Sequence, residues 1–217
     1  MQTAIDWTLV QATEAHTTRY ADEFADLMHA IGPVTYDYQF DGRELFDQIV
    51  NASWRTPGTL FAYDGTTLAL DDDELLGIEV GFHAPEFEQR KKALAPLWPA
   101  LIEAGDVSAE KLALIADRTY QCSYLNAAIP ARVYYIHALA VKESQRGKGI
   151  GAKLLQNAID KAKLAGLRAL HLDVLSDNAA VAFYRSLGFD CLVETTTPVP
   201  LRHGVPMEMR MAIDFRK

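Results

Sequence analysis

The sequence predicts one α/β domain over residues 1–217, a mixed sheet flanked by helices, and three observations carry that reading. Residues 133–141 form an apolar run rich in aromatic and branched side chains, which suits a buried strand. A polar, glycine-rich loop over 142–149 leads into residues 150–165. There Leu154, Leu155, Ala158, Ile159 and Ala162 share one helical face, and Lys153, Asn157, Asp160 and Lys161 the other. The order then repeats: 169–175 is strand-like, 179–187 is helical, and Gly166 and Gly188 stand where the two helices stop.

The other elements follow in chain order. Residues 7–11 are a short strand, and Phe24, Leu27, Met28 and Ile31 recur at helical spacing over 15–31, until Gly32-Pro33 stops them. Residues 34–40 are aromatic, with Tyr36, Tyr38 and Phe40, and 42–53 form a second helix. Residues 66–70 and 75–82 read as strands joined by the turn Asp71-Asp72-Asp73. In the second of them Gly77, Glu79 and Gly81 alternate with Ile78, Val80 and Phe82, leaving one face bare except for a carboxylate. Residues 85–130 read as a helical insertion between strands. One stripe is Leu94, Leu97, Trp98, Leu101 and Ile102, the other Leu112, Ile115 and Tyr120, parted by Gly105-Asp106. Residues 207–215 set Met207, Met209, Met211, Ile213 and Phe215 against Glu208, Arg210, Ala212 and Asp214, the pattern of a half-exposed strand.

Composition narrows the function. Of 217 residues 49% are hydrophobic and 23% charged, which excludes wholesale disorder. Lys and Arg number 21 and Asp and Glu 29, a net charge of −8 that argues against a nucleic-acid or anionic-membrane binder and favours cationic small molecules. The longest stretch without Asp, Glu, Lys or Arg, 119–131, falls short of the ~20 apolar residues a membrane helix needs. Residues 1–15 carry no basic region, and Asp6 interrupts their apolar stretch, so a cytoplasmic location is expected. Cys122 and Cys191 make no Cys-x-x-Cys pair and are expected as buried structural thiols. His16, His29, His83, His171 and His203 show no ligand spacing, so no metal is expected.

The informative stretch is Gln145-Arg146-Gly147-Lys148-Gly149-Ile150-Gly151-Ala152, between a buried strand and a helix start. Unpaired amides and the positive end of the helix dipole suit a phosphate or pyrophosphate there. Glycines permit positive φ and close approach, and Arg146 adds charge. A Walker loop fails, because Gly151-Ala152-Lys153-Leu154 supplies no hydroxyl for magnesium. A dinucleotide fingerprint can be forced as Gly147-x-Gly149-x-x-Ala152, but its first glycine then stands far from the strand end at Val141.

Arg146-x-x-Gly149-x-Gly151 resembles the pyrophosphate loop of the GNAT superfamily, the acyl-CoA-dependent N-acetyltransferases. Phe183-Tyr184-Arg185-Ser186-Leu187-Gly188-Phe189 resembles the family's Tyr-x-x-x-Gly-Phe helix ending, with a strand and a helix between the two signatures. The resemblance implies a mostly antiparallel sheet with splayed parallel central strands and acetyl-CoA as acyl donor. It also implies a pantetheine arm along Leu139, Ala140 and Val141, and a diphosphate cradled by Arg146, Gly147, Lys148, Gly149, Ile150, Gly151 and Ala152. The 85–130 insertion departs from the minimal pattern. The family's asparagine stands seven residues before the tyrosine; here that is Asp177, with Asn178 one position later, and either can cap a helix.

An amine must lose a proton before attacking a thioester, and the leaving thiolate benefits from gaining one. The resemblance gives Tyr184 the role of general acid, against the alternative of a packing aromatic. His137 stands where arylalkylamine N-acetyltransferases carry a His-x-Leu-Ala-Val strand. It is a candidate base, on the face of Tyr135 and Leu139, or a histidine bonded within the sheet. Glu79 is the rival base or ammonium anchor, or an exposed strand residue, and Tyr36, Tyr38 and Phe40 form a candidate acceptor rim. The expected activity is acetyl or short acyl transfer from CoA to a small amine. A non-catalytic acyl-CoA sensor and a nicotinamide-dinucleotide enzyme are the alternatives. Homodimers are common in the family, though no residue here demands one.

Overall fold

The structure is a computed structural model and describes residues 7–216. Seven strands, β1 (Thr8–Gln11), β2 (Thr66–Asp71), β3 (Glu74–His83), β4 (Val133–Val141), β5 (Ala169–Leu175), β6 (Asp190–Thr195) and β7 (Glu208–Asp214), form one sheet in the order β1-β2-β3-β4-β5-β7-β6. Every neighbouring pair is antiparallel except β4–β5. The expected α/β fold, mostly antiparallel with two parallel central strands, is what forms; a doubly wound dinucleotide sheet would need successive parallel neighbours.

The parallel pair is a fork. Its register runs from Val133↔Ala169 to Ile136↔Leu172 and stops there, although β4 continues to Val141 and β5 to Leu175. Opposite β3, Val80 faces Ala138 while Gly81 faces Ile136, so His137 is the extra residue of a β-bulge. The bulge resets the alternation. Tyr135 and, past it, Ala138 and Ala140 pack on one face, while Leu139 and Val141 pack on the other. Leu139 therefore does not share a face with Tyr135, as simple alternation had implied.

Helix α8 (Ile150–Leu164) covers one face, burying Leu154, Leu155 and Ala158 against strand residues such as Leu76, Ile136 and Leu172. The other face is covered by α1 (Glu14–Arg19), α2 (Ala21–Ala30), α3 (Pro33–Phe40) and α4 (Arg43–Trp54). The ring of Phe24 stacks on that of Trp54 at 3.9 Å, both fully buried, each contributing about 1.5–3 kcal/mol by leaving water. The helix expected over 15–31 is two, because the chain turns at Tyr20, whose hydroxyl donates to the Asp73 carbonyl of the β2–β3 turn at 3.1 Å. Pro33, unable to continue α2, opens α3 instead, as a residue without an N–H suits a first helical position.

The insertion supplies α5 (Ala84–Lys92), α6 (Trp98–Ala104) and α7 (Ala109–Cys122), and α9 (Ala180–Ser186) and α10 (Pro198–Arg202) stand before and after β6. Two expectations about the last strands need correcting. Strand β7 is not half-exposed: Glu208 and Arg210 are buried, because the inserted segment covers their face. Cys191 is exposed on β6, an edge strand with too little apolar alternation to be delimited from sequence, whereas Cys122 is buried as expected.

Candidate active site

Where β4 and β5 part, a cleft of about 1320 Å³ runs through the sheet. Its walls come from both faces. His137 and Ala138 stand on one side of the fork, and Leu139, Val141, Phe183 and Tyr184 on the other.

At one end lies the glycine turn. Residues 143–145 make a single tight turn, Gly147 and Gly149 take φ of 78° and 84°, and α8 begins. That left-handed backbone favours glycine, which has no Cβ to strain it. The first intrahelical bond runs from the Lys153 amide to the Gly149 carbonyl at 3.1 Å, so the amides ahead of it face outward as donors at the positive end of the helix. Arg146, Gly147, Gly149, Ile150, Gly151 and Ala152 line the cleft. Lys148 does not: its ammonium donates to Gln145 Oε1 at 2.6 Å. An added Cβ on Gly151 would stand 3.6 Å from Val141 and 3.8 Å from Phe183, the ordinary contact distance of a wall already closed behind it.

Farther in, Leu139, Ala140 and Val141 form the unpaired edge of β4. Opposite, Asn178 lines the cleft while its Oδ1 accepts from the Ala180 amide at 2.8 Å, closing a turn just ahead of α9; Asp177 lies outside. Tyr184 packs between Phe183 and Phe189 at ring distances of 5.3 and 5.7 Å. Its hydroxyl has no hydrogen-bond partner among the described residues, and burial raises its pKa above the usual phenol value, keeping it protonated.

His137 projects into an aromatic nest of Phe61, Phe82 and Phe87, 5.5–6.3 Å away. Its Nε2 is buried without a partner. Burial, and next the charge of Lys91, lower its pKa to about 4 rather than the 6.5 of a free imidazole, so near pH 7 it is neutral and a weak base.

Glu79 is elsewhere. It is fully buried on the α8 side of the sheet and does not line the cleft. Tyr134 donates to its Oε1 at 2.9 Å, Thr67 to its Oε2 at 3.0 Å, and Lys161 of α8 stands 3.7 Å from Oε2. Gly81 belongs to the same arrangement. A Cβ there would sit 2.6 Å from the Tyr134 ring, so only glycine lets that ring cross β3 to reach Glu79. Neither solvent exposure nor a place in the cleft describes Glu79.

The far end is roofed by the insertion. Phe87, Leu94, Trp98, Leu112 and Ile115 face Tyr36 and Phe40 of α3 across the cleft, whereas Tyr38 turns away to bond Gln121 and stack under Arg118. The sequence did not reveal the polar wall beneath. Asp173 accepts from Arg210 Nε at 2.6 Å and Nη2 at 2.8 Å, from Tyr135 at 2.9 Å and from Asn126 at 3.2 Å. Arg210 also donates to the carbonyls of Ala127 and Ala128, pinning the returning insertion to β7. The available signal was Asp173 itself, the one carboxylate inside the strand-like run 169–175.

Comparison with known proteins adds to this geometry. The model of the acetyltransferase (GNAT) family matches residues 108–189. An L-methionine sulfoximine/L-methionine sulfone acetyltransferase of Pseudomonas aeruginosa is 42% identical over 55 residues, 25% of this chain and 32% of that protein. The N-alpha-acetyltransferase RimI of Mycobacterium tuberculosis is 41% identical over 61 residues, 28% and 37% of the two chains. The matched stretches span between 16% and 37% of the curated relatives' lengths. Among solved structures, an N-acetyltransferase from Staphylococcus aureus Mu50 superimposes with a TM-score of 0.69 at 16% identity, covering 95% of this chain and 100% of that one.

Proposed function

We propose that the chain, a member of the GNAT acetyltransferase family, transfers an acetyl group from acetyl-CoA to a small primary amine by direct attack on the thioester. What carries the reading is the continuity of the cleft from a turn of free amides, past the opened edge of β4, to a closed apolar chamber beside Tyr184. An anion with a long flexible arm fits that path. Arg146, Gly147, Gly149, Ile150, Gly151 and Ala152 would hold the diphosphate, and the backbone of Leu139, Ala140 and Val141 the pantetheine. Lys148 would contribute charge from outside. Asn178 rather than Asp177 would meet the arm.

In the transfer, the amine nitrogen bonds to the thioester carbonyl carbon, the C–S bond breaks, and the thiolate takes a proton. Tyr184, kept protonated by burial, supplies that proton and recovers one from the new amide nitrogen. His137, neutral and with Nε2 unpartnered, accepts a hydrogen bond from the acceptor rather than acting as the main base.

The test follows thiol release from acetyl-CoA across a panel of amines, with wild type and Tyr184→Phe. Loss of a general acid lowers turnover by about 10²–10⁴-fold, while acetyl-CoA binding stays unchanged. Unaltered turnover would remove the tyrosine from this role, and no acetyl-CoA binding by wild type would remove the whole reading.

A further inference from the structure

The transfer just described leaves one buried group in the cleft without a task. Glu208 is 9% exposed and lines the cleft from β7. Its Oε2 accepts from Asn126 Nδ2 at 2.8 Å, and its Oε1 takes no hydrogen bond from the described residues. In register it stands opposite Leu175, beyond the last paired step of the fork at Leu172, and therefore beside the opened stretch of β5.

The surroundings leave this carboxylate available to a ligand. Asp173 on β5 is occupied by Arg210, Tyr135 and Asn126, and Arg210 on β7 is spent on Asp173 and two carbonyls of the insertion. The other titratable groups that sense its charge are Tyr36 of α3, Cys122 of α7 and Tyr135 of β4, and none of these is a cation. The chamber above it is mostly apolar and aromatic, and the two lysines that also line the cleft, Lys91 and Lys92, are not among the charges acting on Glu208. A buried anion facing such a space lacks a cation with an oily body.

We propose that Glu208 receives the ammonium group of the acceptor and takes its proton, which makes the acceptors primary amines carried on an apolar or aromatic body. This rests on the transferase reading above. One N–H proton passes from the ammonium to Oε1, the freed lone pair attacks the thioester carbon, and the thiolate leaves with the proton from Tyr184. Glu208 then returns its proton to water, the single proton the overall reaction releases. Burial, and next the charge of Asp173, raise the Glu208 carboxyl to about 7 against the pull of Arg210 and Asn126, which makes it a better proton acceptor than a free carboxylate.

The experiment titrates 2-phenylethylamine, and 2-phenylethanol as the same body without charge, into the CoA-saturated chain by calorimetry. Glu208→Gln, which can still accept from Asn126, should bind the amine about tenfold more weakly or worse and the alcohol equally well. In turnover, wild-type kcat/KM should rise with pH through about 7 as the carboxyl ionises. The variant should lose that limb and keep its acetyl-CoA KM. Asn126→Ala, which retains the carboxylate but removes its donor, should keep amine binding and move the limb to higher pH. Equal losses for amine and alcohol, an unchanged amine affinity, or a wild type that prefers the alcohol would overturn the inference. Thiol release intact in Glu208→Gln would sink this inference alone. Charge-selective binding without any thiol release would sink the transferase reading and, with it, the proton transfer to Glu208, leaving only an ammonium seat.

Discussion

The glycine turn and the far chamber are two ends of one cleft, assembled by opposite means. The turn presents backbone: residues 146–152 are contiguous, and their recognition groups are amides whose direction is set by two positive φ angles and a helix start. The chamber presents side chains from α3, the insertion, β5 and β7, far apart in sequence and brought together by the sheet. The same contrast separates two buried carboxylates. Glu79, under α8, has two hydroxyl donors and a nearby ammonium; Glu208, in the chamber, has one donor and an open oxygen. A satisfied buried charge is structure, while a half-satisfied one is costly to keep unless a ligand completes it.

The largest expected effect comes from breaking the chamber's wall. Arg210→Gln would leave Asp173 buried without its cation and would deprive the carbonyls of Ala127 and Ala128 of their donors. Removing one partner of a buried pair costs about 3–5 kcal/mol, a fall in Tm of roughly 6–20 °C for a chain of this size. Adding Asp173→Asn should restore much of it. A thermal melt in which the single variant matched wild type would mean that the insertion is held by something other than this pair.

Tyr134→Phe tests the opposite face. It removes the donor to Glu79 Oε1 and leaves a fully buried carboxylate oxygen unpaired, at about 1–3 kcal/mol. Stability should drop in the melt while KM for both substrates holds, the reverse of the outcome expected for Glu208→Gln. A raised amine KM in Tyr134→Phe would show that the two faces are coupled and would blur the contrast.

How much was legible in the sequence follows the same division. Residues 133–141, 150–165 and 169–175 were readable because periodicity and capping are local, and β4 and β5 form at those bounds. The turn was readable because glycine spacing reports backbone shape. Glu79 drew notice as the lone carboxylate on a bare strand face, yet what filled that face was the Tyr134 ring, reaching across Gly81 from a strand fifty residues on. Read from alternation alone, Glu208 and Arg210 fall on the solvent side of a strand. Alternation states that two faces differ; it does not state that the 85–130 insertion will cover the polar one. The bulge at His137 was hidden for a related reason, since an extra residue is defined only against its partner strand.

The smallest effect concerns the turn, and it shows whether the two ends act independently. Gly149 has φ of 84° and nothing within 4 Å of an added Cβ, so alanine there meets no clash and bears only the strain of a left-handed backbone. Forcing an L-residue into that region costs roughly 1–2 kcal/mol, which shows in a melt as a few degrees. The methyl group would also stand between the amides and an approaching diphosphate. Gly149→Ala should therefore raise the KM for acetyl-CoA, and calorimetry with 2-phenylethylamine on the CoA-saturated variant should give the wild-type affinity. If amine affinity fell with donor affinity, the chamber would depend on the position of α8, and the division between a backbone end and a side-chain end would give way to one coupled site.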